Sequence, residues 1–534
     1  MQKSLLFLAV IAFTTLNAQV SIVKDINPGP IDGVSDQFIS YNNKILFSAN
    51  DAINGFELWM SDGSNANTQL VNDIFIGANG SNPTDFHVRA ADNKVYFTAT
   101  SQFSSSTNPR KRLLTTQGTT NTLTDISTSP NTDSFAYDYL EVNNNYMLAV
   151  VNHPVTTTAT AFFFPATTGT QYLDVFSNLG ITELSDGIFY NGSAFYRSIT
   201  TNFGTELCKS TIPTSGPPIN EVIDINSGSS SSFPGDMTEF NGLLYFSANS
   251  ASGRELWRTD GTQAGTQMII DLYPGTTGSN PTNLTVYNNA LYFTANNPSL
   301  GIEIFKMNLA ENVTSLRNIN PGSANSSPFG LTVYNGNLYF AADDGTNGVE
   351  LWQSGGFPSN TILLKNINTT NESTPQGFVE YFGELYFNAD DGVNGRELWK
   401  TDGTNAGTVL VSDINTGALD SDPLNLTVAG DNLFFSATTS ATGRELFRYI
   451  EPSLSNVDVE IQNFTIYPNP TSKYFSVDTN QTINNILVYD IQGKMIKSFS
   501  ESKDIYNIED LTNGLYFVRI KSNKSEYVVK LLKK

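Results

Sequence analysis

The chain has one cysteine, Cys208, and two histidines, His87 and His153, among 534 residues. A single thiol cannot close an internal disulfide, so oxidation adds nothing to the stability of this fold. The two histidines lie in different parts of the chain, where each reads as an ordinary surface or packing residue. No HExxH, no GxSxG and no Cys–His pair is present to build a zinc site or an activated nucleophile. No glycine loop followed by lysine is present to cradle phosphate. These absences lead to the expectation of a protein without enzyme activity. Positive charge is also scarce, with 29 Lys and Arg against 51 Asp and Glu, a net −22. That balance excludes nucleic acid as a partner, because its binding needs a basic face. Helical periodicity is missing past the first residues. No later run approaches the ~20 apolar residues of a membrane-spanning helix, so an integral membrane protein is not expected.

What is present begins with residues 1–18, which read as a secretory signal peptide. Lys3 supplies a positive start, Leu5 to Phe13 an apolar core, and Ala18 a small residue before the cut. Beyond it, 40 Gly, 22 Pro and 12% aromatics with only 15% charged residues fit an all-β extracellular class. The charge is uneven. From Phe464 onward the net is +3, which leaves the repeat region near −26. Such a surface keeps the molecule soluble and repels anionic partners.

Residues 19–450 are repetitive. A slot reading Asp-Ile, Asn-Ile, Asp-Leu or Asp-Val recurs from Asp25 to Asp413 at steps of 48, 52, 49, 50, 47, 47, 48 and 47 residues. Two β-rich runs separated by Asn335-Gly336 predict a hairpin, since both central positions of a type I′ turn need positive φ. RELWKT, DGTNAG and TVLVSDI at 396–414 predict a second hairpin with a longer turn. Four short strands per 45–50 residues is the spacing of a β-propeller blade, with a linear solenoid as the rival arrangement. The last unit stops after three strands, and Gln19 to Ile26 resembles its missing fourth. Nine units are counted, two of them degenerate, so the expectation is about eight to nine four-stranded blades. Unit two carries the basic run Asn108 to Leu113 where ELW should stand, and unit three carries Phe162-Phe163-Phe164-Pro165. Each reads as drift or as a specialised binding edge.

Acidic residues recur blade by blade, whereas a catalytic constellation is normally singular. Glu255, Trp257, Asp260 and Gly261, and equally Glu397, Trp399, Asp402 and Gly403, therefore read as structural. The short carboxylate accepts backbone N–H bonds in a turn where glycine supplies positive φ. Calcium is the sharper alternative. Asp343, Asp344 and Asn347, and Asp390, Asp391 and Asn394, gather oxygens in glycine-containing loops, with Asn50, Asp51 and Asn54 a thinner version. Each falls short of the about six to eight oxygens calcium takes.

Residues 451–462 read as a linker, and 463–534 change character. Short alternating strands with frequent turns predict a small Ig-like β-sandwich. The motifs YPNP, VYDIQGK, LTNGLYFVRI and VKLLKK closely resemble the type A C-terminal sorting domain of the type IX secretion system. The resemblance implies export across a Gram-negative outer membrane to the medium or the cell surface, with the secretion machinery as partner. Tyr467, Pro468, Asn469, Pro470, Gly493, Lys494, Gly514, Leu515 and Tyr516 carry it. The body resembles the ELWxxDGT repeat family, most fully at 255–262 and 397–404, and that name implies no established activity. The expected function is binding or adhesion outside the cell, to glycan or protein. The alternatives are a polysaccharide-acting hydrolase or lyase on a propeller face, and a purely structural surface component.

Overall fold

The computed structural model describes residues 19–101, 110–119, 122–126, 136–142, 147–152, 159–163, 184–211, 219–451, 465–478, 483–491, 494–499, 503–522 and 526–534. The leader over 1–18, His153, Gly493 and nearly all of the 451–462 linker lie outside them. Contacts divide the chain into two compact units, residues 1–451 and 452–534.

Among the described residues, the first unit consists of nine antiparallel sheets of local strands. Eight have four strands and the third has three. Blade seven is representative: Phe329–Tyr334, Asn337–Asp343, Val349–Ser354 and Thr361–Lys365 follow one another in space as in sequence. Its first turn has Asn335 at φ 44° and Gly336 at φ 72°, the pair of left-handed residues that a tight hairpin of this kind demands. The fourth strand of blade nine comes from the other end of the chain. Gln19–Lys24 pairs antiparallel with Gly443–Ile450, Gln19 opposite Ile450.

The second strand of each well-described blade is buried on both faces. In blade seven, Leu338 to Ala342 are all at most 1% exposed. Their sequence is accordingly a continuous apolar run without polar alternation. The core lies between blades: Tyr334, Leu351 and Ile367 of blade seven meet Leu385, Phe387 and Trp399 of blade eight. The first strand of each blade lies against the first strand of the next, and that of blade nine lies against that of blade one, in cyclic order. This is a β-propeller arrangement. These inner strands share a bulge whose extra residue has positive φ, as at Asp85 (57°), Asp236 (54°), Asn283 (57°) and Gly377 (73°).

The second unit is a small sandwich. One sheet runs Met495–Phe499, Ile483–Tyr489, Gly514–Ser522, Glu526–Lys533, and the other holds Thr465–Tyr467, Tyr474–Asp478 and Tyr506–Asn507. Ile466, Phe475, Ile486, Tyr506, Val518 and Leu531 form its core.

Candidate functional site

The repeated glutamate is the most constrained polar group of the propeller. Glu397 is completely buried, and each of its oxygens accepts two hydrogen bonds. Oε2 takes the Ile414 amide at 2.9 Å and the Ser421 hydroxyl at 2.6 Å. Oε1 takes the amides of Asn415 and Ser421, both at 3.2 Å. Glu255 grips Leu272, Tyr273 and Ser279 in the same way, and Glu350 grips Ile367, Asn368 and Ser373. Each glutamate thus pins the segment that leaves its own blade for the next. Burial pushes these carboxyls above their ordinary range, against the pull of the donated hydrogen bonds.

The joint between the chain ends differs. Among the described residues, Glu445 accepts only the amides of Ile26 and Asn27, each at 3.0 Å. Gly33 stands where Ser279 or Ser421 stands elsewhere, and a Cβ there would lie 2.1 Å from Glu445 Oε1. Burial raises this carboxyl to about 7, with the charges of Asp25 and Asp32 adding to the effect. Glu206 also rises to about 7, again chiefly through burial.

The Asp-Gly-Thr turns are built locally. Asp260 Oδ1 accepts the Thr262 amide at 2.9 Å and its hydroxyl at 2.7 Å, and Asp402 does the same with Thr404 at 2.8 and 2.7 Å. Gly403 has φ 92°, and a Cβ there would come within 2.6 Å of the Tyr339 hydroxyl, so side chain and backbone both call for glycine. Trp399 is buried between blades seven and eight, and Trp257 packs between blades four and five.

In the loops considered for calcium, the oxygens face their own backbone. Asp344 Oδ1 accepts the amides of Thr346 (2.9 Å) and Asn347 (2.8 Å), and Oδ2 accepts the Asn347 side chain at 2.7 Å. Asp391 repeats this with Val393 and Asn394. Asp343 and Asp390 each cap a glycine amide at 2.7 Å. Burial alone would raise Asp344 and Asp391, but the donated hydrogen bonds prevail and hold both carboxyls below their usual range. Among the described residues, no three or more His, Cys, Asp or Glu side chains gather as metal ligands.

Of the basic run in blade two, Asn108 and Pro109 lie outside the described residues. Arg112 occupies the position of the gripping glutamate, opposite Ala99 as Glu57 is opposite Ala49, and is 5% exposed. Lys111 reaches Asp85 at 3.3 Å. His87 lies on the first strand of blade two, and Cys208 is a buried free thiol.

In the sandwich, the sorting-type motifs at the two ends of the sequence meet. The Asn469 side chain donates to the Lys530 carbonyl at 2.7 Å and accepts the Leu532 amide at 2.9 Å. The Thr471 amide donates to the Leu532 carbonyl at 2.9 Å, and Lys534 returns a bond to Thr471 at 2.8 Å. Pro468 and Pro470 flank this clamp, each after a cis peptide bond. Tyr467 is 54% exposed and Leu515 40% exposed, whereas Tyr516 is buried and its hydroxyl donates to the Thr512 carbonyl at 2.8 Å. Gly514 opens the strand that carries them, and the Lys494 amide closes its turn onto Asp490 at 2.9 Å.

Sequence reasoning missed the serine partners of the glutamates. Their signal is a serine 23 to 26 residues after each glutamate, at Ser81, Ser232, Ser279, Ser326, Ser373 and Ser421. It also missed the tyrosine–cation pairs across the second and third strands, which a count of side-chain types without strand register does not reveal.

No curated protein matches this sequence. Among solved structures, PorZ, described as an essential bacterial surface component of the type IX secretion system of Porphyromonas gingivalis, is 10% identical with a TM-score of 0.33, over 94% of this chain and 75% of its own. A prolyl endopeptidase is 10% identical with a TM-score of 0.39, over 83% of this chain and 55% of its own. Oligopeptidase B from Leishmania major is 12% identical with a TM-score of 0.38, over 67% and 50%. The expectation of a chain without enzyme activity is corrected by these likenesses. Peptidases stand among the similar structures. At such scores the likenesses assign no activity to this chain. No helix among the described residues is long and apolar enough to cross a membrane. Residues 465–534 match the family model of the secretion system C-terminal sorting domain, so this chain carries a type IX sorting signal, which implies export to the cell surface or the medium.

Proposed function

We propose that the chain is an exported binding or adhesion protein whose propeller of ELWxxDGT-type repeats, over 19–450, takes an extracellular glycan or protein through its loops. In this reading residues 1–18 are the leader, 451–462 the linker and 463–534 the sorting domain recognised by the secretion machinery. One observation carries it: a sorting domain is joined to a scaffold whose recurring polar groups, such as Glu397 and Asp402, are consumed in holding blades and turns. Loops held on a rigid frame are then free to vary, and loops on scaffolds are where binding residues concentrate. The test is a glycan array probed with the full-length secreted protein, with calcium and with chelator. Saturable binding supports the reading. Binding that needs calcium assigns Asp343, Asp344, Asp390 and Asp391 to a site, and binding indifferent to chelator leaves them as turns. Absence of binding in both buffers refutes the glycan ligand and directs the search to protein partners.

A further inference from the structure

A polar set recurs between the second and third strands of three blades. Tyr245 lies opposite Arg258, Tyr292 opposite Lys306, and Tyr386 opposite Lys400. In blade five the set holds a carboxylate: Tyr245 donates to Glu311 Oε1 at 2.8 Å, and Arg258 pairs with the same oxygen. In blade eight, Tyr386 donates to Glu451 at 2.7 Å, and Lys400 lies 2.6 Å from Glu384 and 3.7 Å from Glu451. In blade six the phenol and the cation are present without the carboxylate. Lys306 makes no ion pair among the described residues and donates only to the Gly356 carbonyl, at 3.2 Å. Tyr292 is completely buried, and its hydroxyl has no hydrogen-bond partner among the described residues. Burial, with Tyr287 beside it, pushes this phenol up to about 12, so it remains a donor at any physiological pH. Beside the pair stands Phe357, 57% exposed, its ring 5.1 Å from Lys306 Nζ, which also lies 5.5 Å from the Tyr292 ring.

We propose that Tyr292 and Lys306 form a carboxylate-binding site, walled by Phe357, that takes a uronate residue of an otherwise neutral glycan. The carboxylate is required by the chemistry of the set, since the same cross-strand pair holds one in two other blades. A sugar is favoured by the exposed aromatic ring, whose face suits the C–H surface of a pyranose as it suits other apolar faces. A single charge is favoured over a polyanion because the chain carries −22 overall. The ligand carboxylate meets Lys306 first and reaches the hydroxyl as the bond from Lys306 to Gly356 gives way. The site deepens the glycan-binding reading above and rests on it.

The test is ligand-observed NMR on the full-length protein, titrated with D-glucuronate and, as control, D-glucose. Glucuronate is expected to bind, with glucose about tenfold weaker or worse, since a charge-assisted hydrogen bond is lost. Lys306→Gln should weaken glucuronate about tenfold and Lys306→Arg should retain it, by the same reasoning. Phe357→Ala, at a position 57% exposed, should weaken it severalfold, and Tyr292→Phe should do likewise. Equal binding of glucose, or a Lys306→Gln variant that binds as wild type, overturns the proposal. So does an acidic peptide that binds at Lys306 where glucuronate does not. If neutral glycans bind on the array while glucuronate is ignored, this site falls and the wider reading stands.

Discussion

Replacing Glu397 by alanine tests the central structural argument, that one buried carboxylate per blade fixes the passage to the next. The change leaves the amides of Ile414, Asn415 and Ser421 and the Ser421 hydroxyl without their acceptor. Each orphaned buried donor costs about 1–3 kcal/mol, less where water enters. Removing the carboxylate also relieves the desolvation that raises its pKa, which offsets part of the loss. The balance is about 3–5 kcal/mol, four donors at the low end of that range less the relieved desolvation. A repeated ring need not unfold in two states, so the readout is local. Hydrogen exchange of residues 413–423 should accelerate about a hundredfold or more, taking ~1.4 kcal/mol per tenfold. Blades four and five, across the ring, should keep their protection. Unchanged exchange at 414–421, or a loss spread evenly over all blades, would refute the reasoning.

Three further outcomes follow from the same geometry. Gly33→Ser places a Cβ against the flexible end of Glu445, which can retreat to the position its counterparts occupy and gain a hydroxyl donor. Protection of Ile26 and Asn27 should then rise by about 1 kcal/mol, and a fall would show that the carboxylate does not retreat. Burial pushes Glu206 and Glu445 up to about 7 from an ordinary 4.5, so the folded state binds more protons between those limits. Their contribution to stability is largest below 4.5 and is lost as pH rises towards 7. Thermal unfolding from pH 4.5 to 7.5 should show a shallower decline in Glu445→Gln than in wild type, and parallel curves would contradict it. Asn469→Ala should cost the sandwich about 1–2 kcal/mol, since both lost bonds, to Lys530 and Leu532, are exposed to water, read as the denaturation midpoint of the full-length chain.

Much of the fold was legible because repetition averages out local ambiguity. The Asn335-Gly336 turn and the period near 47 residues announce four-stranded units, and the incomplete last unit announces the N-terminal strand that joins it. The inner-strand bulge was not legible, because Asp236 and Asn283 look like ordinary polar residues until register shows one residue too many. For the site, the sequence marks Glu397 and Asp402 as recurrent but not what they hold. The partners of Glu397 lie 17 to 24 residues away and are mostly backbone amides, which leave no trace in residue identity. The sorting motifs were recognisable by their order. The clamp that joins Asn469 to Lys530 and Leu532 depends on bringing two ends of a domain together, which pattern alone does not do.

The most direct test of the account compares the full chain with a chain ended after Ile450, by fractionating cells that export through a type IX system. The account predicts the full chain at the surface or in the medium and the shortened one, folded, in the periplasm. Equal secretion of both would contradict it.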